Sequence, residues 1–285
     1  MKTGLFLGLG TLDLIYLAQK PPGENQKVVA NDCTIAAGGP AANAAVTFAY
    51  LGNAAIWAGV LGNHAIAQLI KTDLAEYNVR VVDLAPGRSE SPPVSSIVVT
   101  EATGGRSVIS INATKSQADS QEIDRDILTA VNIILIDGHQ IAASTEIARI
   151  AKSKNIPIVL DGGSWKPGLA EILPFIEWAV CSDNFHPPNC HKSEEVFACL
   201  SAAGIPHIAI TRGERPIEYL SDRTHGSLEI PQIQAVDTSG AGDIFHGAFC
   251  HYILQDNFTN ALTAATKIAT YSCKFLGTRK WINIS

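Results

Sequence analysis

Short apolar runs alternating with helix-like segments dominate this chain, and that rhythm leaves few folds open. "TGLFLGLG" (3–10), "AIWAGVLG" (55–62), "NIILIDG" (132–138), "IPIVLDGG" (156–163), "WAVCSD" (178–183) and "HIAITRG" (207–213) read as strands with no polar face. Between them lie "AANAAVTFAYLG" (41–52), which ends at a glycine stop, "AIAQLIKTDLAEYN" (65–78), "ASTEIARIAKSKN" (143–155) and "SEEVFACLSAAG" (193–204). Strands apolar on both faces need cover on both sides. The pattern therefore predicts an α/β fold: a doubly wound, mostly parallel sheet with helices on both faces. Two segments break the rhythm, "QKVVANDCTIAAGG" (26–39) and "VSSIVVTEATGGRSVISIN" (94–112). Both show strand character without helices, and Thr103-Gly104-Gly105 fits a hairpin turn. Such extra strands form a lid, an oligomer contact or an ordinary edge hairpin.

Composition narrows the function classes. A chain of 285 residues with 46% hydrophobic and 17% charged residues can bury a large core as one domain spanning 1–285. A formal net charge of -6 argues against nucleic-acid binding. The most apolar stretch, 44–61, is broken by Gly52-Asn53 and reads as helix, turn and strand, so no membrane partner is expected. The N-terminal apolar run meets Asp13 too early for a secretory signal. Six scattered cysteines without a C-x-x-C pair suggest reduced thiols and a cytoplasmic location, and the spacing of Cys181, Cys190 and Cys199 matches no usual zinc pair.

In an open parallel sheet, ligands bind beyond the carboxyl ends of the strands. Polar and glycine groups gather there: Gly10 and Asp13, Asp137-Gly138-His139, Asp161-Gly162-Gly163, Ser182-Asp183-Asn184 and Thr211-Arg212-Gly213. "GLGTLD" (8–13) fails as a dinucleotide fingerprint because an acid, Asp13, stands at the third glycine position and would repel a pyrophosphate. No Walker-type phosphate loop is present.

The sharpest signal is "AVDTSGAGDIFHGAF" (235–249). Strand-like "IQAV" leads into a glycine turn and then a helix, whose free N–H groups make a site for anionic oxygens. Gly240, Ala241 and Gly242 let a phosphate approach the main chain. Asp243 would repel a resting phosphate, but it suits a base that takes a proton from an incoming hydroxyl. The plainer alternative is that Asp243 caps the helix and the glycines only turn the chain.

"DTSGAGD" (237–243) resembles the D-T-x-G-A-G-D signature of the ribokinase-like (PfkB) carbohydrate and nucleoside kinases. "GGPAANAAVTFAYLG" (38–52) resembles their N-terminal signature. The likeness extends over nearly the whole chain, through an early strand ending at Asp13, "AITRGE" (209–214) and "AATKIATYSCKFLGTRKWI" (264–282). It implies a small β lid, with strands from about 11–37 and 89–113, on the α/β body. It also implies Asp243 as catalytic base, with the amides of Gly240, Ala241 and Gly242 as anion hole. Asp13, Gly38, Gly39 and Asn43 match sugar-contacting positions, and Arg106 lies in the lid segment. Thr211, Gly213 and Gly277 match nucleotide-binding positions, and Asp237 with the Thr238 carbonyl match a region that holds a monovalent cation such as K+.

Two departures from the family pattern bear on chemistry. The N-x-x-E motif that organises Mg2+ is matched by "CSDNFHP" (181–187), which lacks the glutamate and leaves Asp183 as the candidate substitute. Pro40-Ala41 replaces the Gly-Lys that follows the two glycines in ribokinases and sugar-phosphate kinases of the family. Arg106 or Lys166 could still supply positive charge. The reading that results is an ATP- and Mg2+-dependent kinase acting on a hydroxyl, preferably primary, of a small neutral sugar. A nucleoside acceptor, or a sugar-binding sensor without catalysis, is the alternative. A homodimer through the lid is a further expectation.

Overall fold

The computed structural model describes residues 1–119 and 123–282. A nine-stranded sheet runs through the molecule in the order β13-β12-β11-β10-β9-β8-β1-β4-β5. Within it, β1 (Thr3–Leu7) is flanked in parallel by β4 (Ala54–Gly59) and β8 (Ile133–Ile136). Parallel pairing continues through β5 (Val79–Asp83) on one side, and through β9 (Ile158–Gly162), β10 (Trp178–Ser182) and β11 (His207–Arg212) on the other. Two antiparallel strands, β12 (Arg215–Ser221) and β13 (Thr224–Leu228), close that edge.

Alternate residues of the central strands point to opposite faces, as the two-residue period of a strand requires. Leu5, Leu7, Ile134 and Ile136 join one core, covered by α3 (Ile141–Ser153) and α4 (Ser193–Ala202). Phe6, Ile133 and Leu135 join the other, covered by α1 (Pro40–Tyr50), α2 (Ala65–Glu76), α5 (Ala241–Ile253) and α6 (Phe258–Ser272). The sheet is thus apolar on both faces because it is covered on both.

Helices α1 and α5 meet closely because both are built from small residues. A side chain at Gly247 would lie 2.3 Å from the Ala44 carbonyl oxygen, so only glycine permits this approach. The crossing matters for chemistry, because Asn43 and Asp243 sit beside it on the two helices.

A second sheet, in the order β3-β2-β6-β7, comprises β2 (Thr11–Ala18), β3 (Asp32–Gly38), β6 (Val94–Thr100) and β7 (Arg106–Ser110). Ile15, Ile97, Val99 and Leu276 make a small core beneath it, while Ile35, Val108 and Ile109 on it are exposed. The turn between β6 and β7 bends at Gly104, whose φ is 65°.

Three expected elements differ. The first strand stops at Leu7 rather than 10, and Asp13 is the third residue of β2 in the second sheet. Segment 26–39 yields one strand, Asp32–Gly38, its earlier part being irregular. "IQAV" (233–236) is not a strand: the amides of Val236 and Asp237 both donate to the Cys273 carbonyl after α6, which holds this stretch against the C-terminal segment instead of a sheet.

Candidate active site

The site forms where the glycine pair after β3, the start of α5 and the segment after α6 converge. Gly39 precedes α1 with φ 100°, and Pro40 occupies the first helical turn, where its missing N–H costs nothing. A Cβ on Gly39 would strike the Leu9 carbonyl oxygen at 2.3 Å, and one on Gly38 would collide with the Asp13 carboxylate at 1.9 Å. The two glycines therefore make room for Asp13.

Asp13 is 7% exposed, and its Oδ1 has no hydrogen-bond partner among the described residues. Burial pushes its carboxyl up to about 6, against the lowering effects of Ser95, Arg279 and Arg106. An orphaned acceptor of this kind is the chemistry that a sugar hydroxyl satisfies.

At the start of α5, Gly240 takes a left-handed conformation with φ 69°. Asp237 shapes this turn: its Oδ1 accepts from the Ser239 amide at 2.8 Å and its Oδ2 from the Gly277 amide at 2.7 Å. The Ala241 amide donates to the Thr238 carbonyl at 3.3 Å, whereas the amides of Gly240 and Gly242 meet no acceptor among the described residues. Gly242 has open space where a side chain would be. Free amides at a helix start beside open space suit an anion.

Asp243 lies in the first turn of α5 and is partly buried. Its Oδ2 accepts from Asn43 Nδ2 at 2.8 Å. Asn43 Oδ1 in turn accepts from Arg279 Nη1 at 2.8 Å. Arg279 is buried, donates to the Ala37 carbonyl at 2.7 Å, pairs with Asp73 at 3.2 Å and lies 5.3 Å from the Tyr77 ring centroid. Burial, then the nearby negative charge of Asp161, push the Asp243 carboxyl up to about 6, while Asn43, Arg106 and His246 pull it down.

Arg106 reaches from β7 to the Thr238 carbonyl, with Nη1 at 2.9 Å. That bond ties the second sheet to the glycine turn. It also places a guanidinium where a monovalent cation was expected, and both Asp237 oxygens are already taken by amides. Asp237 and Thr238 therefore do not fit a K+ site, because the guanidinium would repel a second cation there.

Thr211 and Asp183 stand at neighbouring strand ends, the Asp183 amide donating to the Thr211 carbonyl at 2.9 Å, and Gly213 follows with φ 64° and open space. The Asp183 carboxylate is held by Arg215 Nη2 at 2.5 Å. Among the described residues no group of three or more His, Cys, Asp or Glu side chains could hold a metal ion. Gly277 makes its contacts to Asp237, and a side chain there would press on Thr34 of β3.

The sequence pointed to Asp13, Asn43, Arg106 and Asp243, and to Asp161 only as a strand-end acid, but not to Arg279, Asp73 or His246. Arg279 lies 236 residues from Asn43, and in the chain it is one of two adjacent basic residues, Arg279-Lys280, with nothing to mark which is buried.

Comparison with known proteins bears on the family and the fold. Residues 2–283 match the family model described as pfkB family carbohydrate kinase. The chain is 25% identical over 291 residues to deoxyribokinase of Salmonella typhi, covering 96% of this chain and 93% of that one. It is 23% identical over 286 residues to ribokinase of Bacillus subtilis, covering 96% and 94%. In structure it is similar to Arabidopsis thaliana ribokinase complexed with ribose and ATP, with TM-score 0.78, 20% identity and coverage of 100% and 99%.

Proposed function

The chain belongs to the pfkB family of carbohydrate kinases, and from that premise we propose that it transfers the γ-phosphoryl group of ATP to a primary hydroxyl of a small neutral sugar. The observation that carries this reading is the meeting of an orphaned buried carboxylate, Asp13, with a helix-start anion turn that ends in a partly buried carboxylate, Asp243.

Asp13 accepts hydrogen bonds from sugar hydroxyls, and Gly38 and Gly39 leave the space for the ring. Asn43 holds Asp243 by one oxygen and leaves the other to face the acceptor hydroxyl. Asp243 takes the proton as the hydroxyl attacks. The free amides of Gly240 and Gly242 offset the charge on the transferred group, the role of a preorganised anion hole, while the Ala241 amide expected beside them is held by the Thr238 carbonyl. Thr211 and Gly213, at the open end of β11, suit the nucleotide. Gly277 acts through Asp237, keeping the turn in shape.

Bound ATP supplies the phosphoryl group, with Mg2+ carried on its phosphates and water in the usual manner of that ion. Asp183 is neutralised by Arg215, and no step depends on it. A neutral acceptor is favoured because Arg106 is committed to the Thr238 carbonyl and Lys166 donates to the Ser164 carbonyl at 3.1 Å. The relatives named deoxyribokinase and ribokinase favour a pentose. No helix among the described residues is long and apolar enough to cross a membrane.

ADP release measured with Mg-ATP across pentoses, hexoses, sugar phosphates and nucleosides tests the reading. Turnover is expected with a neutral sugar. Turnover confined to nucleosides, or thermal stabilisation by a sugar without ADP release, contradicts it.

A further inference from the structure

Beneath the glycine turn lies a buried histidine–aspartate contact that the proposed transfer does not use. His246 stands three residues after Asp243 on α5 and is 5% exposed. Its Nδ1 lies 2.7 Å from the Gly242 carbonyl oxygen and its Nε2 lies 3.0 Å from the Val180 carbonyl oxygen of β10. Nδ1 also faces Asp161 Oδ2 at 3.4 Å. A carbonyl oxygen only accepts, so a ring that meets one at each nitrogen needs an N–H on both. Neutral imidazole has only one. Asp161, at the end of β9 and 5% exposed, supplies the facing negative charge, and its Oδ2 has no other partner.

We propose that His246 is a buried imidazolium and a positioning residue for phosphoryl transfer, pinning the Gly242 carbonyl to β10 and, with Asp161, setting the charge beside Asp243. The inference rests on Asp243 being the base. Gly242 belongs to the anion turn, so a ring that holds its carbonyl also fixes the direction of the neighbouring amides. The charged groups around the pair come from several elements. Asp161 faces His246 from β9, with Asp137 beyond β8 and with His139 and Lys166 on the adjoining loops. Burial raises the Asp161 carboxyl and the His246 charge draws it back. Asp243 faces Asp161, Arg106 and His246, with Asn43 from α1. A nearby cation favours a charged carboxylate and a nearby anion disfavours it, so the two members of the pair act on Asp243 in opposite directions.

The test has two parts. In nitrogen-15 spectra of the wild-type protein at neutral pH, both ring nitrogens of His246 should bear a proton; a ring with one N–H overturns the proposal. In steady-state kinetics, His246→Phe should lower kcat by about 10- to 100-fold with little change in KM for either substrate. The acid limb of its kcat–pH profile should move up by about one pH unit, and that of Asp161→Asn should move down by a similar amount. Acid limbs that stay at the wild-type position in both variants overturn the proposal, whatever their thermal stability. If a variant fails to fold, the other variant and the wild-type spectrum still decide. Absence of any kinase turnover would instead refute the functional reading, and the spectrum would still report on His246.

Discussion

Asn43 donates through Nδ2 to Asp243 Oδ2 at 2.8 Å, joining two residues 200 positions apart across the α1–α5 crossing. That bond selects which Asp243 oxygen faces solvent, and it favours the carboxylate over the acid. Asn43→Leu should lower kcat by about tenfold and shift the acid limb of activity upward, because the bond that favours the charged form is gone. The kcat–pH profile checks this, and an unshifted limb would leave Asn43 with a packing role only.

Arg279 stands behind Asn43 as a buried cation with several fixed partners. Arg279→Met would leave Asp73 without its cation and Asn43 Oδ1 without its donor. We expect a loss of about 3 kcal/mol in denaturant unfolding, in the range for breaking a buried ion pair from one side. Arg279→Lys should recover only part of it, since one ammonium cannot span Asn43, Ala37 and Asp73 together.

The two glycines of the turn should separate folding from function. Gly240→Ala places a methyl group 2.5 Å from Thr278 Cγ2 at a φ of 69°, so it should cost about 1–2 kcal/mol of stability. Gly242→Ala meets nothing within 4 Å and lies inside a helix, so its unfolding free energy should stay at or above wild type. Its turnover should nevertheless fall by tenfold or more, about the worth of an obstructed anion donor. Measured side by side, equal effects of the two on stability would contradict the geometry.

Burial of Asp13 has a price in stability. Its carboxyl lies at about 6 in the native state, against an ordinary value of 3.8, so the folded protein binds that proton more tightly than the unfolded chain. The resulting stabilisation is complete below the unfolded value and is lost as pH rises through about 6. At pH 8 Asp13→Asn should therefore be more stable than wild type by on the order of 1–3 kcal/mol, unfolding at a higher temperature, and the gap should close near pH 4. The same variant should raise KM for the sugar. Thermal unfolding at the two pH values, with kinetics at the higher one, gives both readings.

The parallel body was legible because its strands are apolar on both faces, as in "IILI" of β8, and its helices carry clear stops. The edge pair β12 and β13 was not read, since "RPIEYLSDRTHGSLEI" mixes charges with apolar residues as a half-exposed antiparallel edge does. The expectation of Asp13 at the end of a core strand fails because the break between β1 and β2 falls on Gly8-Leu9-Gly10, two glycines whose apolar neighbours mask the turn. Within the site, contiguous groups such as Gly240–Asp243 were visible as a motif. Arg279 was not, because it joins the site only through long-range packing that leaves no spacing in the chain; Asp161 was visible only as a strand-end acid, and His246 lay inside the motif with no sign of its partners on β9 and β10.

Replacement of Asp243 by asparagine, with turnover and ATP affinity measured at saturating sugar, tests the account most directly. A fall in kcat of about 10²–10⁴-fold with ATP binding nearly unchanged, the signature of a lost general base, is the expected result. Turnover within a few-fold of wild type would contradict it.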